Sequence, residues 1–191
     1  MAIFPEIMPD YGYKFFPKYK TDRLPVTDGD YSMRRRRRAN GLYSAILTYT
    51  SKTAEDERSL VDFFDARYGG WDSFIFFDFI SRVYPVMSLG TADGWQKVWT
   101  LEARDVSVET IYFDGVDNDL FSYTIGNRTG VNGQDQIIFS TAPTDTIVLT
   151  IGYSGKKYLP ICVFDEDKLE TALTNWARNS LGTITILQVN A

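Results

Sequence analysis

Hydrophobic and polar positions recur along this chain with two periods, and the change from one to the other falls between Thr53 and Phe79. Leu60, Val61, Phe64 and Tyr68 return at helical spacing with Asp62, Asp65 and Arg67 between them, which predicts one amphipathic helix with a single apolar stripe. Thr53 stands three residues before Asp56, where its hydroxyl can accept from the first free amides, and Glu55, Asp56 and Glu57 suit the positive end of the helix dipole. Gly69 and Gly70 offer the left-handed conformation that ends a helix. From Trp71 to Phe79 the period becomes two. Trp71, Ile75, Phe77 and Phe79 share one face, and Phe74 and Phe76 share the other, between Asp72 and Asp78. A strand apolar on both faces needs cover on both, from the preceding helix and from another sheet or another subunit. Asp72 and Asp78 fit the solubilising ends of such a strand.

Upstream, Pro5, Pro9, Pro17 and Pro25 alternate with Tyr11, Tyr13, Phe15, Phe16 and Tyr19. Proline lacks an amide donor and disfavours helix before it, so residues 1–27 read as an extended aromatic arm that lies over its own core or reaches a neighbour. After a turn at Asp28-Gly29-Asp30, residues 31–38 end in five consecutive arginines. Asn40-Gly41 then separates them from Leu42 to Thr50, which predicts a hairpin between these two runs. In a strand Arg34, Arg36 and Arg38 face one way and Arg35 and Arg37 the other.

Downstream, Leu89 to Gly94 is a turn cluster. Short strand-like runs follow near 96–103, 107–113, 120–125, 136–141 and 146–152, broken at Asp114-Gly115, Gly130, Asn132-Gly133 and Pro143. The chain therefore divides into a discontinuous domain of residues 1–88 and 157–191 and an inserted small β domain, a barrel or sandwich, of residues 89–156. Tyr158 to Phe164 reads as a strand, Asp165 to Trp176 fits helix or strand, and Thr183 to Val189 is a final strand.

Composition narrows the functions. A content of 44% hydrophobic residues supplies a core, and the 29 aromatics also suit large interfaces. The net charge of −5 argues against a general nucleic-acid binder. Within residues 1–50, however, nine Lys/Arg stand against five Asp/Glu, and the segment 89–156 carries a net −5. A basic strip in an acidic chain favours pairing between subunits over contact with nucleic acid. There is no histidine, the commonest general base and metal ligand, and Cys162 is the only cysteine, expected as a small buried hydrophobe. No phosphate loop, nucleophile elbow or dinucleotide fingerprint occurs. Asp114, Asp117 and Asp119 lack the glycine and distal glutamate of a calcium loop and fit a hairpin turn. Asn127-Arg-Thr129 matches a glycosylation acceptor by chance. The start lacks a secretion signal and no run approaches a membrane span, which points to a soluble cytoplasmic protein without membrane partners. The expectation is a non-enzyme with no catalytic, cofactor or metal residues. Its candidate site is a subunit interface formed by Arg34, Arg35, Arg36, Arg37 and Arg38 with Tyr11, Tyr13, Phe15 and Phe16.

Several stretches in order carry a resemblance: Phe4-Pro5 with Tyr11-Gly12, the arginine strand before a tyrosine-rich strand, and Phe63-Phe64-Asp-Ala-Arg67-Tyr-Gly69. Phe74 to Asp78, Leu89-Gly-Thr-Ala-Asp-Gly94, and Ile151-Gly-Tyr153 to Val163-Phe164-Asp165-Glu-Asp167 continue the series. This set resembles the distal tail proteins of long-tailed bacteriophages and gene transfer agents over nearly the whole chain. The unbroken run Arg34 to Arg38 departs from that pattern, where scattered arginines are expected. The resemblance implies a mainly-β protein, a β-sandwich like that of tail-tube proteins with one packed helix and an inserted β domain. It also tilts Leu169 to Trp176 toward a strand. It implies a virion component assembled in the host cytoplasm: a hexameric ring at the tail tip. Such a ring joins the tail tube protein to the hub or baseplate protein, meets the tape measure protein, and has DNA only passing through its lumen. Two alternatives stand beside it: another tail component of the same fold, such as a tube or terminator protein, and a carbohydrate-binding adhesion module stacking sugars on Trp95, Trp99 or Tyr112.

Overall fold

The computed structural model describes residues 1–10, 12–18, 21–25, 32–36, 42–117, 121–166, 169, 172–175 and 178–189, with backbone alone at 21–25, 32–36, 109, 172–175 and 178–180. The protein is mainly β, with antiparallel sheets and one helix. It divides into two compact units, a discontinuous one of residues 4–74 and 160–191 and a middle one of residues 1–3 and 75–159. The expected insert of residues 89–156 lies wholly inside the middle unit, which extends further on both sides. Strand β5 (Phe74–Thr91) runs unbroken through the Leu89–Gly90 turn signal, and β11 (Val148–Phe164) continues past residue 156.

In the discontinuous unit, the strand order is β1 (Lys14–Lys18), β4 (Leu42–Tyr49), β14 (Gly182–Gln188), then the end of β11. Phe15 stands opposite Ala45, Leu47 opposite Ile184, and Ile186 opposite Phe164. Directly opposed residues of antiparallel strands share a face, so Ala45, Leu47, Tyr49, Ile184, Ile186 and Phe164 form one buried layer. Helix α1 (Ala54–Asp65) covers it. Its N-terminus is capped as expected: the Asp56 amide donates to Thr53 Oγ1 at 3.2 Å, and Thr53 Oγ1 donates to Asp56 Oδ2 at 2.8 Å. Leu60 and Phe64 are buried. The stripe is completed by Phe63 and not by Tyr68, because the helix stops at Asp65 with Ala66 as its C-cap. Tyr68 has φ 51 and lies in an exposed turn, and Trp71 is exposed as well, three residues before β5 begins.

Five phenylalanines close this core. Phe164 stacks within 4.7 Å of Phe74 and 4.9 Å of Phe64, centroid to centroid, while Phe4 and Phe63 meet Phe74 at 5.9 and 5.4 Å. Cys162, two residues before Phe164, is fully buried as a free thiol.

The hairpin expected between residues 31–38 and 42–50 does not form. Strand β3 (Ser32–Arg36) pairs with β2 (Thr21–Pro25), while both edges of β4 are occupied, by β1 and β14. The Asn40-Gly41 pair lies outside the described residues. The ambiguous stretch before residue 176 contains a strand, β12 (Ala172–Asn175), paired with β13 (Arg178–Ser180).

In the middle unit, β11 is flanked by β5 and by β7 (Ala103–Phe113), and β7 turns through Asp114-Gly115 into β8 (Val116–Asp117). Gly152 permits the approach of β5, since a Cβ there would meet the Pro85 carbonyl oxygen at 2.7 Å. A second sheet orders β6 (Val98–Thr100), β10 (Gln136–Phe139) and β9 (Tyr123–Gly126). Trp99, Leu101, Ile111, Ile137, Phe139, Leu149, Ile151 and Tyr153 fill the core. Asp135 is fully buried and ties β7 to the turn at Arg128, accepting from the Val106 amide at 2.8 Å and the Arg128 amide at 2.7 Å. Among the described residues, no helix is long and apolar enough to cross a membrane.

Truncating Phe164, the ring shared by the largest number of these aromatic contacts, is expected to cost about 3–5 kcal/mol. Urea unfolding of Phe164→Ala should show this loss, and Phe63→Ala, from a half-buried position, a smaller one. Equal losses would mean that the cluster does not centre on Phe164.

Candidate interaction surface

The start of the arm lies on its own unit. Phe4 is buried among the phenylalanines, Pro9 is buried, and the Asp10 amide donates to the Thr48 carbonyl at 2.8 Å. The Tyr49 hydroxyl donates to the Ile7 carbonyl at 3.0 Å, and burial raises its phenol well above the ordinary range. The Asp10 carboxylate fastens the end of this segment. It accepts from the Thr50 amide at 2.7 Å, the Ser51 amide at 3.0 Å and Lys52 Nζ at 2.7 Å. Desolvation pushes its pKa up, but the Lys52 hydrogen bond, the two amides and the Lys52 charge outweigh it and bring the value down to about 2.

Beyond Asp10 the arm joins the sheet as strand β1, paired with β4. Tyr11 lies outside the described residues and Tyr13 is half-buried. Phe15 is half-buried and stacks on Tyr43, with centroids 5.0 Å apart and planes at 21°. Phe16 is 39% exposed between exposed Lys14 and Lys18. Strand β1 ends the strand order and, among the described residues, has one ladder partner, β4. Pro17 fits such an edge, since proline cannot donate to a second ladder. The arginine run is only partly described. In the hairpin of β2 and β3, Arg34 stands opposite Arg23, Arg35 opposite Asp22 and Arg36 opposite Thr21, while Arg37 and Arg38 lie outside the described residues. Arg35 therefore has a carboxylate position across from it in its own hairpin, whereas Arg34 has a like charge.

Two aromatics expected in apolar faces, Tyr68 in the helix stripe and Trp71 in the strand, are exposed instead. Tyr68 is 76% and Trp71 83% exposed, on a turn where the Trp71 amide donates to the Tyr68 carbonyl at 3.4 Å. The signal was Gly69-Gly70: the Gly69 amide donates back to the Phe64 carbonyl at 3.2 Å and the Tyr68 amide to the Asp65 carbonyl at 3.0 Å, but Tyr68 itself, at φ 51, takes the first left-handed position after the helix. Arg67 sits at its base with its guanidinium 5.8 Å from the Phe63 ring centre.

The sugar-stacking candidates separate. Trp99 is buried edge-on to Phe139, with centroids 5.3 Å apart, and Tyr112 is half-buried in β7. Trp95 is 87% exposed on a turn pinned by the Asp93 carboxylate, which accepts from the Gln96 and Trp95 amides at 2.7 and 2.9 Å. Those amides, Gln96 first, lower the Asp93 pKa. The three rings thus make no common platform.

No family model matches this chain, and no curated protein matches it significantly. Asp78 corrects one expectation: it is fully buried and not a solubilising end, accepting from Arg82 Nε at 2.5 Å and from the Ile80 amide at 3.1 Å. Asp114 forms the expected hairpin turn, with φ 50 beside Gly115 at φ 81, and accepts from the Val148 amide at 2.8 Å. Among the described residues, no group of three or more side chains could hold a metal ion. The middle unit holds a cavity of about 220 Å³ lined in part by Ser88, Thr100 and Glu102. Tyr153, on its wall, donates to Met87 Sδ at 3.4 Å, and burial raises its phenol above the ordinary range, so it stays protonated.

Asp10→Asn is expected to cost about 1–3 kcal/mol at neutral pH, the range for a charged group that loses its hydrogen-bonded partners. Because folding depresses this carboxyl from 3.8 to about 2, its contribution is complete above pH 3.8 and is lost as pH falls toward 2. Denaturation curves at stepped pH should show wild type and Asp10→Asn converging through that window. A gap unchanged there would show that the carboxylate's charge is not the source.

Proposed function

We propose that the protein is a structural component of a phage virion, a ring at the distal end of the tail that joins the tail tube to the hub or baseplate. The observation that carries this reading is the discontinuous unit. Residues from both ends of the chain build an antiparallel sheet with one packed helix, and a β unit interrupts it in sequence. The resemblance implies a unit of this kind, so the arrangement supports the reading. The sheet also ends on β1, whose outward strip carries Lys14, Phe16 and Lys18. In this reading the partners are five further copies, the tube protein above, the hub protein below and the tape measure protein. DNA passes through the lumen without being bound.

Negative-stain images of the purified protein, alone and mixed with the tube protein, should show closed rings with a central hole. Gold-labelled antibody should mark the tip of the tail on virions. A strict monomer with both neighbours present, or label along the whole tube, would overturn the reading; the second result would favour a tube protein.

A further inference from the structure

We infer that the Tyr68–Trp71 turn is the socket-facing half of a head-to-tail contact whose other half is the outer strip of β1 on a second copy of this chain. The inference rests on the ring reading and names the surfaces that would close it.

Both patches belong to the discontinuous unit. The turn presents two aromatic rings that together have lost little surface to the fold, Tyr68 and Trp71, flanked by exposed Asp65 and half-buried Asp72. Trp and Tyr are the residues most enriched among interface anchors. The turn is held in shape: the Gly69 amide donates to the Phe64 carbonyl at 3.2 Å and the Asp72 amide to the Arg67 carbonyl at 3.0 Å. Its rings are therefore offered on a fixed frame and lose little freedom on docking. The strip on β1 has the complementary pattern, one exposed ring, Phe16, between two exposed cations, Lys14 and Lys18. Aromatic centres with acidic flanks on one patch and basic flanks on the other satisfy both apolar burial and charge pairing.

One copy does not satisfy both patches by itself. Helix α1 and its turn are anchored through Phe164 on β11, whereas β1 lies at the far end of the order β1-β4-β14-β11. Three strand spacings of about 4.8 Å put these strands roughly 14 Å apart. Two different patches at separate places on one unit make a heterologous contact, which repeats from copy to copy and closes into a ring when the rotation permits. Pro17 interrupts any continuous main-chain ladder along the outer edge of β1, so the contact is made by side chains.

The test uses the full chain and sedimentation velocity across a concentration range. Tyr68→Asn with Trp71→Ala should weaken self-association at least tenfold and leave thermal unfolding of the dilute protein unchanged. Lys14→Glu with Lys18→Glu should do the same, as should Asp65→Lys with Asp72→Lys. Combining the two charge reversals in one chain should restore much of the association, because each patch then meets its complement again. Rings that persist at wild-type concentrations in all three double variants would overturn this contact while leaving the ring reading intact. Loss in the double variants without rescue in the combined one would also overturn the charge-paired geometry. A wild-type chain that stays monomeric throughout would overturn this contact, and the ring reading would fall with it only if the chain stayed monomeric with both neighbours present as well.

Discussion

The discontinuous unit depends on Phe164. It is the last residue of β11, opposite Ile186 on β14, and its ring lies against Phe4, Phe63, Phe64 and Phe74. Those partners come from the arm, the helix and the first residue of β5. One side chain on β11 thus ties together three other segments, all of them far from it in sequence. Aromatic pairs at these separations add to burial through edge-to-face and offset geometry, which fixes orientation as well as distance. The register of β11 against β14 follows, since a slip of one residue would turn this ring to the other face of the sheet.

Much of this was legible from local chemistry. The Thr53 cap, the apolar helix face through Leu60 and Phe64, and the doubly buried run from Phe74 all follow from short-range rules that the tertiary fold does not override. The misreadings have separate causes: a strand pairing that sequence patterns do not specify, a turn that begins earlier than the period suggests, and a local ion pair. Asn40-Gly41 looked like the turn of a hairpin, yet β4 had a neighbour from each end of the chain and no edge left for the arginine strand. Trp71 matched the period of the strand after it, but the turn at Tyr68 and Gly69 ends outside the sheet and leaves the ring in water. Asp78 kept its place in the pattern and lost its solvent, because Arg82 four residues on supplies a charge partner. The interface candidates were only half visible. Phe16 and Lys14 could be found by composition, whereas the Tyr68–Trp71 turn needed the exact end of the helix.

The middle unit organises itself differently. It is braced by carboxylates, with Asp135 bonded to one amide in β7 and one in the Arg128 turn, and Asp105 clasped by Lys156 at 2.6 Å and Arg128 at 3.2 Å. Buried acceptors that satisfy backbone amides set loop geometry without requiring a long hydrophobic sequence signature. This explains why its strands were located well but their sheets were not.

The solitary thiol of Cys162 turns the end of β11 into a built-in clock. A buried cysteine reacts only when its surroundings open. Cys162 shares a face of β11 with Phe164, two residues on, so access to its sulfur reports the opening of the buried layer there. With no second cysteine in the chain, every labelling event has one address. The rate of alkylation therefore measures local breathing beside Phe164 directly, in the isolated chain and in any assembly it enters, without an engineered probe.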